Sequence, residues 1–291
     1  MPPGFPALLF RLVASGLPSL LASGSLLFSA DNAPVNVIVL AGQSNLAGRG
    51  PAADLPERYR TVPSAVLLDY VCSFGGGANA DVHHSRGWVR LGPAAKHENT
   101  PGEHFGPELG LGHALASALP GERIALIKHG RGATSLAEDW QPDATDGPRL
   151  YRALLEQVRA ALDRLALEGR RTELRAFVWV QGEADSTRTD WARAYEQNLR
   201  TLVARVRRDL AAPRLPCLVV LTGKGVGNER MIDSATVRQA QQRVTGGGDR
   251  IALVDTDDLP LLDSVHFNAP GQLRLGERIA RGYLDSADPA R

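Results

Sequence analysis

The chain has 291 residues, 43% of them hydrophobic, enough for one large core or two small ones. Its 33 Lys and Arg stand against 32 Asp and Glu, leaving a net charge of +1 with no basic tail, so nucleic acid is not an expected partner. Cys72 and Cys217 lie far apart, outside any CxxC pattern. Beside apolar runs they read as small buried hydrophobes, with a disulfide open only in an oxidising compartment.

Residues 1–34 differ in character from the rest. Arg11 precedes the apolar, Ser/Gly-rich run Leu12–Phe28, and small residues continue to Ala30. This is the pattern of a signal peptide cleaved near Ala30, and a disordered leader is the alternative. Pro18 and several glycines make the run a poor membrane helix, and no other stretch is long enough to span a bilayer. The expectation is export to a secreted or periplasmic location, with the folded domain over residues 35–291.

Val35–Leu40 (VNVIVL) is apolar and β-branched and runs straight into AGQSN, a buried strand ending in a tight turn. Similar runs recur at Ala65–Tyr70, Arg123–Lys128, Leu174–Val180, Pro216–Leu221 and Ile251–Val254. Between them, Leu150, Leu154, Val158, Leu162 and Leu165 form a helical stripe closed by Gly169. Trp191, Tyr195, Leu199, Leu202, Val206 and Leu210 form another, stopped by Pro213. Leu109–Leu119, Met231–Val244 and Leu273–Leu284 are further helices, the last with Pro270 near its first turn. Such alternation predicts βα crossovers, a mostly parallel sheet and helices on both faces. Phe74–Ala80 and Trp88–Gly106 read as long loops above the C-terminal strand ends, where ligands bind in such folds.

Ser44 follows Gly42 and Gln43 directly after the first strand. A serine at a strand-to-helix turn can expose its hydroxyl beside free backbone N–H groups, or it can merely cap the helix. The segment is not a GxSxG elbow. In DSVHFNAPG, Asp263 and His266 stand three residues apart, a spacing that lets the carboxylate orient the imidazole while the other ring nitrogen serves as base. Asp257, Asp258 and Glu183 compete for the orienting role. In QGEAD, Gln181 is a candidate oxyanion donor, and in HGRGATS the Gly132 N–H is another.

GKGVG at 223–227 is not a phosphate loop, and GRGAT at 130–134 completes no dinucleotide fingerprint. His83, His84, His97, His104 and His113 are scattered without metal-ligand spacing. No cofactor and no metal is expected.

Together VIVLAGQSNLAGRG, FGPELGLGHAL, IKHGRGATSL, VWVQGEADS, VRQAQ and DSVHFNAPGQLRLGERIA resemble the SGNH/GDSL hydrolase superfamily. The resemblance is to its sialate O-acetylesterase-like branch, which includes carbohydrate esterase family 6 acetylxylan esterases. It implies a flavodoxin-like three-layer α/β/α sandwich and metal-independent ester hydrolysis. It puts the nucleophile on Ser44, the acid–base pair on Asp263 and His266, and oxyanion contacts on Ser44, Gly132 and Gln181. The branch's GGT stands here as Gly132-Ala133-Thr134, and its Met after GQSN as Leu46. The implied partner is an acetylated carbohydrate or another small ester. Of the tryptophans, Trp140, just past the Gly132 loop, is the better sugar-stacking candidate, and Trp191 the better core residue.

Overall fold

Val35–Gly42 (β1) is buried along its whole length, as an uninterrupted apolar strand must be when both faces are covered. Its side chains alternate between two cores. Val35, Val37, Val39 and Ala41 enter one, and Ile38 and Leu40 the other. In the computed structural model, residues 33–61, 63–75, 81–97, 100–143 and 149–287 are described. The expected leader, apart from residues 33–34, and residues 76–80 of the Gly-rich stretch lie outside them.

After β1 come α1 (Ser44–Ala47), β2 (Gly50–Pro51), β3 (Val66–Ser73), β4 (His83–His84), β5 (Val89–Arg90), β6 (Ala95–His97) and β7 (Thr100–Phe105). Then follow α2 (Glu108–Ala118), β8 (Arg123–Arg131), α3 (Leu150–Leu167), β9 (Thr172–Val180) and α4 (Thr189–Asp209). β10 (Cys217–Val220), α5 (Ser234–Thr245), β11 (Ile251–Val254) and α6 (Ala269–Ala287) complete the order. The main sheet runs β11-β10-β9-β1-β8-β3-β4. From β11 through β3 every pairing is parallel, while β4 and β5 pair antiparallel with β3.

Leu150, Leu154, Val158 and Leu165 of α3 bury the predicted stripe, and Tyr195, Leu199, Leu202 and Val206 of α4 do the same, in one core with Val237 of α5. Leu109, Leu111 and Leu115 of α2 pack with Leu273, Leu275 and Ile279 of α6 on the opposite face. The three layers are those expected of a mostly parallel α/β/α sandwich. β1 lies between β8 and β9: the chain runs from it to β3 on one side, and the later β8-to-β9 crossover passes over it to the other. That reversal opens a crevice at its C-terminal end.

The segment Trp88–Gly106 is not simply loop. It holds β5, β6 and β7, and the last two join β2 in a separate antiparallel sheet. These strands are short and polar, without the apolar alternation that reveals a strand in sequence. Cys72 and Cys217 are free and buried. They sit on β3 and β10, four strand spacings apart in the sheet, or about 19 Å, beyond the reach of a disulfide.

Candidate active site

β1 delivers the chain to a turn that is held from below. The Gln43 N–H donates to the Val180 carbonyl at 3.0 Å. A Cβ on Gly42 would stand 2.1 Å from that same oxygen, so only glycine fits. Ser44 then opens α1. The N-cap position belongs to Gln43, and no side chain caps the helix, so the Ser44 hydroxyl is not spent on capping. Below α1, Lys128 donates from Nζ to the Ala47 carbonyl at 3.0 Å and pairs with Glu108 at 2.7 Å. Glu108 in turn accepts the Gly106 N–H at 2.9 Å.

His266 arrives from the segment before α6. Its Nε2 lies 3.0 Å from Ser44 Oγ, and its Nδ1 lies 2.8 Å from Asp263 Oδ2. Asp263 Oδ1 accepts the backbone N–H groups of Val265 at 2.8 Å and His266 at 2.7 Å, which curls the segment so that carboxylate and ring face each other. Arg49 stands 3.7 Å from the carboxylate. Burial raises the Asp263 pKa, but the hydrogen bonds from the His266 ring and from the His266 and Val265 N–H groups outweigh it, and the net shift is downward. The rival carboxylates have other partners. Asp257 pairs with Arg238 at 2.7 Å and Lys224 at 3.1 Å, and Asp258 with Arg278 at 2.7 Å.

Asn45 ties the two halves together. Its Nδ2 donates to Glu183 Oε1 at 2.6 Å and to the Val265 carbonyl at 3.1 Å. Its Oδ1 accepts the Phe267 N–H at 3.1 Å. The residues on either side of His266 are thus gripped by the residue next to Ser44. Glu183 is held by Asn45 rather than by the imidazole; burial pushes its pKa up, against the pull of the Asn45 hydrogen bond.

The expected oxyanion donors are placed differently. The Gly132 N–H is already donated to the Ser73 carbonyl at 2.8 Å, and Gly132 is glycine because a Cβ there would stand 2.0 Å from the Phe74 oxygen. The Gln181 amide is buried, and its Nε2 donates to Asp185 Oδ2 at 2.6 Å, the Thr134 carbonyl at 3.0 Å and Gln43 Oε1 at 3.2 Å. With two N–H bonds and three acceptors, it has none left for a substrate. Gln181 instead positions Gln43. Gln43 Oε1 also accepts the Ala184 N–H at 3.2 Å; a backbone N–H can only donate, so the amide nitrogen of Gln43 is its other end. Gln43, Ser44 and Ala133 line one cavity with His266. Among the described residues no partner takes the N–H of Ser44, the N–H of Ala133 or the Gln43 amide nitrogen.

Beneath these donors, Asp185 accepts the N–H groups of Leu136 at 2.8 Å and Ala137 at 3.0 Å, pinning the loop that carries Ala133. Burial raises its pKa to about 6, against those bonds and that of Gln181. Tyr195 donates to the Gln181 carbonyl at 2.7 Å. Gln241, from VRQAQ, donates to that carbonyl at 3.0 Å and accepts the Thr222 N–H at 2.9 Å. Among the described residues no group of three His, Cys, Asp or Glu side chains is arranged to hold a metal, and no helix is long and apolar enough to cross a membrane.

The sequence profile of the family described as "Carbohydrate esterase, sialic acid-specific acetylesterase" matches residues 34–285. The chain belongs to that family. It is 28% identical over 261 residues to the probable carbohydrate esterase At4g34215 of Arabidopsis thaliana, covering 87% of this chain and 92% of that one. The crystal structure of the Arabidopsis protein superposes with a TM-score of 0.67 at 24% identity, over 88% of this esterase and 100% of that chain. NanS superposes with a TM-score of 0.65 at 18% identity, over 87% and 98%. XAC1771, described as a carbohydrate acetylesterase from Xanthomonas citri, does so at 0.62 and 17%, over 86% of this chain and 56% of that one. The likeness to these structures is one of fold.

In this esterase the cavity over Ser44 measures about 380 Å³, in the range of small-molecule sites. Trp191 and Met231 line it beside Thr187, Asn228 and Arg230. Trp140 does not: it is fully buried, edge-on to Trp179 and His129, with its indole N–H donated to Thr134 Oγ1 at 3.0 Å. The two tryptophans have exchanged their expected places. Trp191 sits in the first turn of α4, beyond the end of the core that the rest of its stripe fills.

Proposed function

We propose that this esterase removes O-acetyl groups from carbohydrates through a Ser44–His266–Asp263 triad and an acyl-enzyme. The observation that carries the reading is the position of His266, with Nε2 at 3.0 Å from Ser44 Oγ and Nδ1 at 2.8 Å from Asp263. A neutral imidazole so oriented can accept the serine proton, and the carboxylate stabilises the imidazolium that forms.

Ser44 Oγ bonds to the acetyl carbon as its proton passes to His266 Nε2. The carbonyl electron pair moves onto the oxygen, facing the Ser44 N–H with the Ala133 N–H and the Gln43 amide beside it. One such donor is worth about 3 kcal/mol to the transition state. The intermediate collapses, the bond to the sugar oxygen breaks, and His266 returns its proton to that oxygen. Water then attacks the acetyl-serine with the same proton relay, releasing acetate. Gln181 and Glu183 hold Gln43 and Asn45 in place for these steps. The apolar leader, residues 1–34, fits export of the enzyme; N-terminal sequencing of the mature protein from culture fluid or periplasm tests that.

Acetate release from acetylated xylo-oligosaccharides and from O-acetyl sialic acid, wild type against Ser44→Ala, is the test. Release that depends on Ser44 is expected from at least one of them. Full activity in a folded Ser44→Ala protein would sink the nucleophile assignment, and a wild type active only on non-sugar esters would sink the substrate class.

A further inference from the structure

Four tryptophans occur in the sequence. Trp88 donates its indole N–H to the Ala161 carbonyl at 3.0 Å, Trp140 to Thr134 Oγ1 at 3.0 Å and Trp179 to the Tyr195 hydroxyl at 3.2 Å. Indole N–H groups in protein interiors find such partners as a rule. Among the described residues, the Trp191 N–H has none. Trp191 is half-buried on the cavity wall, so it keeps an unspent donor and an apolar ring beside the nucleophile.

Its orientation is fixed from outside the cavity. The Arg188 guanidinium lies over the ring, 4.3 Å from its centroid. Arg188 is itself held by Asp190 through two hydrogen bonds, at 3.1 and 2.7 Å. Stacking of this kind restrains an indole that would otherwise swing between rotamers at the protein surface. The guanidinium covers one face, so the other face and the N–H edge remain for a ligand. Met231, Asn228 and Arg230, from the segment between β10 and α5, line the same cavity. Met231 adds apolar wall, and Asn228 and Arg230 add polar groups.

We infer that Trp191 is the platform for the alcohol half of the ester, and that the group it takes is a pyranose ring. A pyranose offers an apolar C–H face to the indole. It also carries hydroxyl and ring oxygens that can accept from the Trp191 N–H, Asn228 and Arg230. An aryl alcohol matches the ring but forms no hydrogen bonds with those donors, which then stay with water. The inference rests on the carbohydrate-esterase reading above and assigns its specificity to one side chain.

The test has a binding arm and a turnover arm. In the Ser44→Ala background, calorimetric titration with an acetylated methyl xylopyranoside is compared with and without Trp191→Ala. Binding is expected to weaken about tenfold, roughly one stacking contact plus one hydrogen bond. Trp191→Phe, which keeps a ring but no N–H, should fall between. In the active enzyme, the ratio of kcat/KM for the same pyranoside over ethyl acetate should drop by a similar factor, carried by KM. Equal losses on both esters, or undiminished pyranoside binding in Trp191→Ala, would overturn the platform. Pyranoside bound through Trp191 but never hydrolysed by wild type would leave the platform standing and remove the catalytic reading.

Discussion

The Lys128 ammonium lies 2.7 Å from the Glu108 carboxylate, and neither side chain has any exposure to solvent. Burial opposes the charge on Lys128, but the neighbouring Cys72 and Glu108 side chains outweigh it and the pKa is raised. Through Ala47 and Gly106, this pair anchors both the end of α1 and the start of α2. Breaking half of such a pair leaves an uncompensated buried charge. Lys128→Met should therefore cost about 3–5 kcal/mol in urea unfolding, and Lys128→Met combined with Glu108→Gln should recover part of it. A single variant as stable as wild type would show that the pair does not anchor the turn.

Asn45 is a positioning residue, acting on His266 through Val265 and Phe267. Asn45→Ala should lower kcat/KM by about 100-fold, the order expected when a base is misplaced by an ångström. Asn45→Asp should be worse, because a second carboxylate would meet Glu183 where an amide now donates at 2.6 Å. The check is kcat measured alongside the melting temperature, since Asn45→Ala is expected to lose rate well before it loses the fold.

Ala133 has φ of 54°, a left-handed conformation that costs a side-chain-bearing residue about 1–2 kcal/mol. Ala133→Gly should raise stability by about 1 kcal/mol while esterase activity persists. Gly132→Ala, one residue earlier, should be strongly destabilised, because its Cβ would press on the Phe74 oxygen. Thermal melts of the two variants should move in opposite directions.

Asp185 makes stability depend on pH. Its pKa is raised from 3.8 to about 6 by burial, so between those values the folded protein holds a proton that the unfolded chain has released. The resulting stabilisation is complete below the unfolded pKa and lost as pH rises through about 6, a change of about 3 kcal/mol. Asp185→Asn disturbs the Leu136 and Ala137 contacts at every pH, but it removes this slope. The stability gap between variant and wild type should therefore shift by about 2 kcal/mol in the variant's favour from pH 4 to pH 7. A gap independent of pH would show that Asp185 titrates normally.

The strand before Ser44 and the Asp263–His266 spacing were legible because each is local: one is a run of apolar residues, the other a turn whose hydrogen bonds span three positions. The helical stripes were legible for the same reason. What sequence could not show was which of several adjacent groups would be left unbonded. Gln43 and Gln181 are both amides, and Gly132 and Ala133 are neighbours. The choice between them depends on acceptors, such as Asp185 and the Ser73 carbonyl, brought in from other strands. Trp191 shares the periodicity of Tyr195 and Leu199, and periodicity says nothing of where the core ends. Gln241 and Asn45 stood inside recognisable segments, but their roles appear only when their partners are known.

The contact between Ser44 and His266 joins residues 222 positions apart, and β1, the first strand, lies in the middle of the sheet with β8 and β9 on either side. On the proposed triad, a chain leaving the ribosome therefore exposes its nucleophile early and receives its base almost last. Throughout that interval the Ser44 hydroxyl has no imidazole to take its proton. On the proposed triad, hydrolytic capacity arrives only when the segment carrying Asp263 and His266 docks against Asn45, so a product truncated before residue 263 is expected to be inert however much of the sheet it had formed.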